Sequence, residues 1–294
     1  MALVHYVSYD RFPAPKGAAV HIQAFVDALQ VRFGNVALTT VANSRQESPT
    51  PELNSFRSEQ SWQNVRHVAI EVQGKNLLDR VAGFRKSLIR HWEFAEIAHF
   101  RSIYEGYPIA RRKSAFCRKI VFEVNGLPSI ELKYHYPQVA DDHELLAKLR
   151  HQEQTCLEAA DLVLTVSQTN AEHLISRKVP ANKIRVIPNG VDETLFHFAP
   201  PRIVTDPLRM LYVGTLSSWQ GLRVAIEALA LYRRDFPAKL TVIGEGRKQQ
   251  RESLTDLADS LGVGEHLEFV DGLQQEELVE HYHASHCAVA PLLI

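Results

Sequence analysis

Short runs of aliphatic and β-branched residues alternate with longer segments of helical period along nearly the whole chain. In the first half the apolar runs are LVHYVS (3–8), NVALTTVA (35–42), VRHVAIEV (65–72), EIAHFRS (96–102), KIVFEV (119–124), DLVLTVS (161–167) and KIRVIP (183–188). Each has the length and composition of a strand. Between them VHIQAFVDALQVRF (20–33) places Val20, Phe25, Ala28 and Leu29 near one helical face, and residues 76–95, 107–116, 142–160 and 168–178 read as further helices. Residues 43–64 are polar, hold two prolines and read as a loop. The segment HFAPPRIVTDPLR (197–209) carries three prolines and reads as a linker, after which the alternation restarts. Strands are expected at LRMLYVG (208–214), AKLTVIG (238–244), HLEFVDG (266–272) and CAVAPLLI (287–294), and helices at 221–236, 246–262 and 274–286. This pattern predicts an α/β chain of mainly parallel sheets covered on both faces. The expected domains are 1–196 and 209–294, joined by a linker at 197–208. Were the second a Rossmann half, its strand order would be 3-2-1-4, with the fourth strand at an edge.

Parallel sheets of this kind bind ligands outside the carboxyl ends of their strands. The loops to watch therefore begin at Ser8, Glu123, Gly214, Gly244 and Asp271. GTLSSWQG (214–221) runs from a strand into a helix, the geometry that cradles anions, yet it contains no lysine or arginine. VFEVNGLPS (121–129) puts Glu123 and Asn125 at a strand exit facing a cleft; a functional and a structural role stand even for Glu123, and Asn125-Gly126 also fits an ordinary turn. His21 reads as a half-buried helix residue. HYHASH (281–286) looks like a metal site, but on a helix only His283 and His286 share a face, so no metal is expected.

The 294 residues carry a net charge of −1, which argues against a general nucleic-acid binder. Charge is unevenly spread: residues 75–119 hold 11 Lys and Arg against 4 Asp and Glu. Within them Leu77, Val81, Phe84, Leu88 and Trp92 form an apolar stripe flanked by Arg80, Arg85, Lys86 and Arg90. The stripe fits a core-facing helix, and it also fits a helix lying on an anionic membrane surface. No apolar run approaches the ~20 residues of a membrane span. MALVHYVSYD does not read as a signal peptide. Three scattered cysteines suit a reduced, cytoplasmic chain.

KIRVIPNGVDETLF (183–196) is the most specific stretch: a strand ending in Pro188, an Asn-Gly turn and Asp192 at a capping position. With AADLVLTVSQTNAEHL upstream and LYVGTLSSWQGLRVAIEAL, LTVIGEG and FVDGLQQEELVEHY downstream, the chain resembles the retaining nucleotide-sugar glycosyltransferases of family 4. FPAPKGAAVHIQAFVDAL near the start resembles that family's opening glycine loop and first helix. The resemblance implies a GT-B fold of two Rossmann-like domains, the second here incomplete, and sugar transfer from a nucleotide diphosphate to an undefined hydroxyl without cofactor or metal. It assigns donor contacts to Gly17, Gly214, Thr215, Gln220, Gly221, Gly244, Gly246 and Arg247, and cleft-facing catalytic positions to Glu123 and Asn125. Thr215 and Gln220 stand where the family usually has an arginine and a lysine, so the loop offers hydrogen bonds without charge. The alternative is a catalytically inactive fragment or nucleotide-binding protein of the same fold, since the family's paired glutamates beyond the fourth strand are not in the sequence. The first reading brings in an acceptor at the inner face of the membrane, whereas the incomplete second domain by itself invites a partner chain or self-association.

Overall fold

The computed structural model describes residues 3–42, 64–200 and 207–293. The polar stretch at 43–63 and the middle of the proline-rich linker, 201–206, lie outside them. The chain divides into two compact units, Met1–Asn189 and Gly190–Ile294.

Unit 1 is a seven-stranded parallel sheet in the order β3-β2-β1-β4-β5-β6-β7. The strands are β1 (Val4–Arg11), β2 (Val36–Val41), β3 (Val65–Ile70), β4 (Ala95–Phe100), β5 (Cys117–Val124), β6 (Leu162–Thr165) and β7 (Ile184–Val186). The crossovers contain α1 (Gly17–Phe33), α2 (Leu77–His91), α3 (Ile103–Ala110), α4 (Lys113–Phe116), α5 (Pro128–His135), α6 (His143–Ala159) and α7 (Gln168–Ser176). The order reverses between β1 and β4, so the switch point lies outside their carboxyl ends. Two cores flank the sheet. One joins Tyr6, Ile22, Val26 and Leu38 beneath α1. The other joins Phe84, Leu88, Phe100, Phe122 and Leu157 beneath the remaining helices.

One expectation for this unit changes, one helix is added, and the open reading of α2 is decided in favour of the core. The helix expected at 107–116 is two helices, α3 and α4. Ser102 and Glu105 form a capping box that starts α3 at Ile103, ahead of the apolar signal. α5 was not legible; Pro128 at its first position pre-sets φ where the N–H is dispensable. The apolar stripe of α2 is spent on the core: Val81, Phe84 and Leu88 are buried, with Leu77 and Trp92 packed on the same cluster. Arg85 turns inward too, donating to the Ile103 and Tyr104 carbonyls and to Gln152, each within 2.8 Å. The stripe is therefore not a membrane-facing surface.

Unit 2 is a four-stranded parallel sheet, β10-β9-β8-β11, the expected 3-2-1-4 order. It contains β8 (Leu208–Val213), α8 (Leu222–Tyr232), β9 (Ala238–Ile243), α9 (Lys248–Ser260), β10 (Leu267–Val270), α10 (Gln275–Ala284) and β11 (Cys287–Ala288). Residues 190–196 pack with this unit, where Phe196 meets Tyr282 edge to face at 5.9 Å. β11 is shorter than the eight residues expected. Pairing ends near Pro291, which has no N–H to give, and Leu293 N instead donates to Trp219 O.

Candidate functional site

Unit 1 gathers its polar side chains at the carboxyl ends of β1, β4 and β5. Alternation along β1 sends Tyr6, Ser8 and Asp10 to the α1 side of the sheet. β4 delivers His99 and the loop residue Arg101, β5 delivers Glu123, and the first turns of α1 deliver His21. Glu123 is the hub. Tyr6 Oη donates to its Oε2 at 3.1 Å, while Arg101 Nε and Asn125 Nδ2 donate to its Oε1 at 3.0 and 2.8 Å. His21 Nε2 and His99 Nε2 lie 2.7 and 3.2 Å from its Oε1 and Oε2 respectively, outside the angles of a good hydrogen bond. Arg101 continues outward, its Nη1 reaching Asp10 Oδ2 at 2.8 Å, which Ser8 Oγ also contacts.

This placement corrects the expectation that Glu123 faces the cleft: the residue is 2 % exposed, enclosed by five side chains. Burial by itself raises its pKa. The adjoining His21 and His99 nitrogens and the Arg101 charge outweigh that and hold the carboxyl well below the usual carboxylate range. Glu123 is thus a fixed negative charge, suited to orienting neighbours and unsuited to giving or taking a proton near neutrality. Asn125 is half-buried and is tied to Glu123 through Nδ2. Gly17 opens α1, with free space where a Cβ would stand.

Glu105, on α3 nearby, has the opposite character. It is fully buried, and burial followed by the charge of Asp10 pushes its pKa up to about 8, despite hydrogen bonds from Arg101 N and Ser102 N. Two ionisable carboxyls, both hydrogen-bonded by Arg101, are therefore driven in opposite directions by their surroundings.

His21, His99, Arg101, Tyr6 and Asp10 were missed as a constellation. A signal existed: polar residues at period two close the apolar strands β1 and β4 on one face. Nothing in one sequence says that those strands are neighbours.

Unit 2 places Gly214, Thr215, Gln220 and Gly221 on the loop from β8 to α8, and Gly244, Gly246 and Arg247 on the loop from β9 to α9. The two loops are knitted together. Gly244 has φ +151°, and a Cβ there would collide with the Gly214 carbonyl; a Cβ on Gly246 would meet Leu216 at 2.5 Å. Leu216 N donates to Glu245 O at 3.1 Å, and Tyr212 Oη donates to Thr215 O at 2.7 Å. Gly221 has φ +73° and caps α8, with the Pro291 carbonyl where a Cβ would be. These glycines are required by loop packing, independently of any ligand. Thr215 is exposed, Gln220 half-buried, and Arg247 exposed at the start of α9. Helix starts of this kind offer main-chain N–H groups to an anion. Among the described residues, no group of three or more His, Cys, Asp and Glu could hold a metal ion.

The profile of Glycosyltransferase Family 4 matches residues 15–195, and that of Glycosyl transferases group 1 matches residues 194–293. The chain belongs to glycosyltransferase family 4. The family 4 chain is 39 % identical over 110 residues to glycogen synthase from Mycobacterium tuberculosis, covering 37 % of this chain and 26 % of that protein. It is 25 % identical over 254 residues to D-inositol 3-phosphate glycosyltransferase from Geodermatophilus obscurus, covering 77 % of this chain and 55 % of that one. It thus spans about a quarter to about half of these relatives. Sucrose-phosphate synthase from Thermosynechococcus elongatus superimposes with a TM-score of 0.72 at 18 % identity, over 99 % of this chain and 76 % of that one. Alr3699/HepE from Anabaena, solved with UDP-glucose, gives 0.65 at 16 % identity, over 97 % and 72 %. The fold is that of the GT-B glycosyltransferases. Among the described residues no helix is long and apolar enough to cross a membrane.

Proposed function

We propose that this chain binds a nucleotide-diphosphate sugar at the carboxyl edge of unit 2 and transfers the sugar, with retention, to an acceptor hydroxyl. The observation that carries the reading is that the loops entering α8 and α9, joined by Leu216 N to Glu245 O, bring two helix starts to one edge of unit 2 in a chain of this family. Leaving-group charge would be met by the first-turn amides of α8 and α9, by Thr215 and Gln220, and by Arg247. Retention is carried over from the family resemblance, and Glu123, enclosed and held ionised, takes no part in proton transfer. Its role is instead to position His21 and Asn125.

The absence of Lys and Arg from residues 214–221 favours a second reading, nucleotide binding without turnover. Calorimetry with UDP and GDP, followed by NMR of the anomer released from a nucleotide sugar, separates the two. Binding with a retained anomeric product supports transfer. Binding without product supports the second reading, and no binding of either nucleotide removes both.

We place this activity in the cytoplasm. Attraction to anionic lipid would rest on exposed charges such as Lys86 and Arg90 alone, because the stripe of α2 is consumed in the core. Salt-sensitive binding to anionic vesicles that survives Lys86→Glu with Arg90→Glu would refute that assignment.

A further inference from the structure

On the α2 face of unit 1, towards the amino ends of its strands, lies a cavity of about 360 Å³. His5, Ala37 and Arg66 are register partners near the starts of β1, β2 and β3, and Thr39 and Val68 pair next on the same face. The last turn of α2 and the residues after it close the other side with Leu88, Arg90, Trp92 and Glu93. None of these residues belongs to the cluster around Glu123, which gathers at the carboxyl ends of β1, β4 and β5. The volume falls within the ~300–1,000 Å³ of small-molecule sites. At ~30 Å³ per water it equals about twelve waters, room for a ligand of about ten non-hydrogen atoms.

The inner wall is apolar in effect. Ala37, Ile70 and Leu88 are buried, and Val68 and Trp92 are half-buried. The two polar side chains among them bond to each other, His5 Nε2 lying 2.9 Å from Thr39 Oγ1. Trp92 stacks on the His5 ring with centroids 4.0 Å apart, and His5 Nδ1 is sealed off from the cavity. Burial, then the charge of Arg66, pushes the His5 pKa down to about 3, so the wall stays uncharged. The rim is charged. Arg66 Nη1 donates to Glu93 Oε1 at 2.6 Å, and those two charges offset each other. His91 turns its Nδ1 back to the Ser87 carbonyl at 2.8 Å. Arg90 is exposed and makes no hydrogen bond or ion pair among the described residues. One guanidinium thus stands uncommitted beside an apolar pocket, and a guanidinium suits a carboxylate, which it can hold through two parallel bonds. A zwitterion would bring an ammonium to a rim whose carboxylate is already committed to Arg66. Arg90 also lies in the last turn of α2, where a cation complements the helix end, and the experiment below separates that role.

We infer that unit 1 carries a small-molecule site at its amino edge for an apolar monocarboxylate, whose body lies against Leu88, Val68 and Trp92 and whose carboxylate meets Arg90. The site is separate from the Glu123 cluster and from the donor loops of unit 2, and it stands or falls independently of sugar transfer.

The experiment is saturation-transfer NMR on the full chain with 3-phenylpropionate, beside 3-phenylpropanol and phenylalanine as uncharged and zwitterionic probes of the same skeleton. The acid is expected to bind with about millimolar affinity, as its size allows, and about threefold or more tightly than either probe. Arg90→Gln should bring the acid to the affinity of the alcohol and leave the alcohol within about twofold. Val68→Phe, which fills the cavity, should weaken acid and alcohol alike by about tenfold or more. Excess UDP should change the affinity for the acid by less than about twofold. No transfer to the acid, equal binding of the alcohol, or displacement of the acid by UDP overturns the inference. So does an Arg90→Gln variant that melts lower but binds the acid unchanged, which leaves Arg90 as the complement of the α2 helix end. Tighter binding of phenylalanine than of the acid overturns the assignment to a monocarboxylate.

Discussion

Replacing Glu123 by Gln tests whether unit 1 is organised around a buried negative charge. The amide keeps the shape but removes the charge that faces Arg101 at 3.0 Å, and Arg101 and Glu123 are 11 % and 3 % exposed at the side chain. Breaking one partner of a buried pair costs about 3–5 kcal/mol, since the other charge stays buried. Asp10 still contacts Arg101, which argues for the lower end. For a unit of this size about 3 kcal/mol lowers the melting temperature by about 6–12 °C. The pH dependence is the sharper readout. A carboxyl whose folded pKa is depressed contributes stability that is fully present above its unfolded value, 4.5, and is lost as pH falls towards the folded value. The stability gap between the native chain and Glu123→Gln should therefore be flat from pH 8 to about 5 and narrow below about 4.5. Urea unfolding followed by far-ultraviolet circular dichroism across that range measures it. A gap under about 1 kcal/mol at pH 7, or one that widens on acidification, would show that the charge is not the organising element.

Glu105→Gln should act in the opposite sense: with a folded pKa of about 8 against 4.5 unfolded, the native carboxyl costs stability as pH rises between those values, so the variant should gain about 3 kcal/mol at pH 7 and nothing near pH 4.5. Arg85→Met should cost about 1.5–3 kcal/mol in the same assay, because three acceptors lose their donor, whereas Lys86→Glu should stay within about 0.5 kcal/mol. Gly244→Ala should cost at least about 1–3 kcal/mol from backbone strain alone and abolish nucleotide binding by separating the two loops, which calorimetry and a thermal melt resolve. Gln220→Lys adds a cation at the start of α8 and should tighten nucleoside diphosphate binding about tenfold, and an unchanged affinity would mean that the loop does not face the ligand.

Period and punctuation were enough to specify the α/β class and most strand positions, because a parallel sheet buried on both faces demands apolar runs that polar helix faces separate; the 3-2-1-4 order of unit 2 followed from the Rossmann-like half that the resemblance implies. The ordered motifs from Ala160 onward were enough to indicate the family. They also marked which loops leave strand ends, so Gly214, Gly244, Glu123 and Asn125 could be named at the ligand edge. What those residues do there depended on neighbours distant in the chain. Glu123 reads as a cleft carboxylate until Tyr6, His21, His99 and Arg101, drawn from three other elements, close around it and fix its charge. The α2 stripe is equally amphipathic on a membrane or on a sheet, and only the packing of Phe84 and Leu88 into the core decides. The glycines read as ligand contacts, whereas the Gly214 carbonyl beneath Gly244 makes them structural first. Local periodicity is a property of consecutive residues and is written in the chain. Burial, pKa and loop packing are properties of pairs brought together by the fold, and those pairs are separated here by up to 117 residues, as between Tyr6 and Glu123.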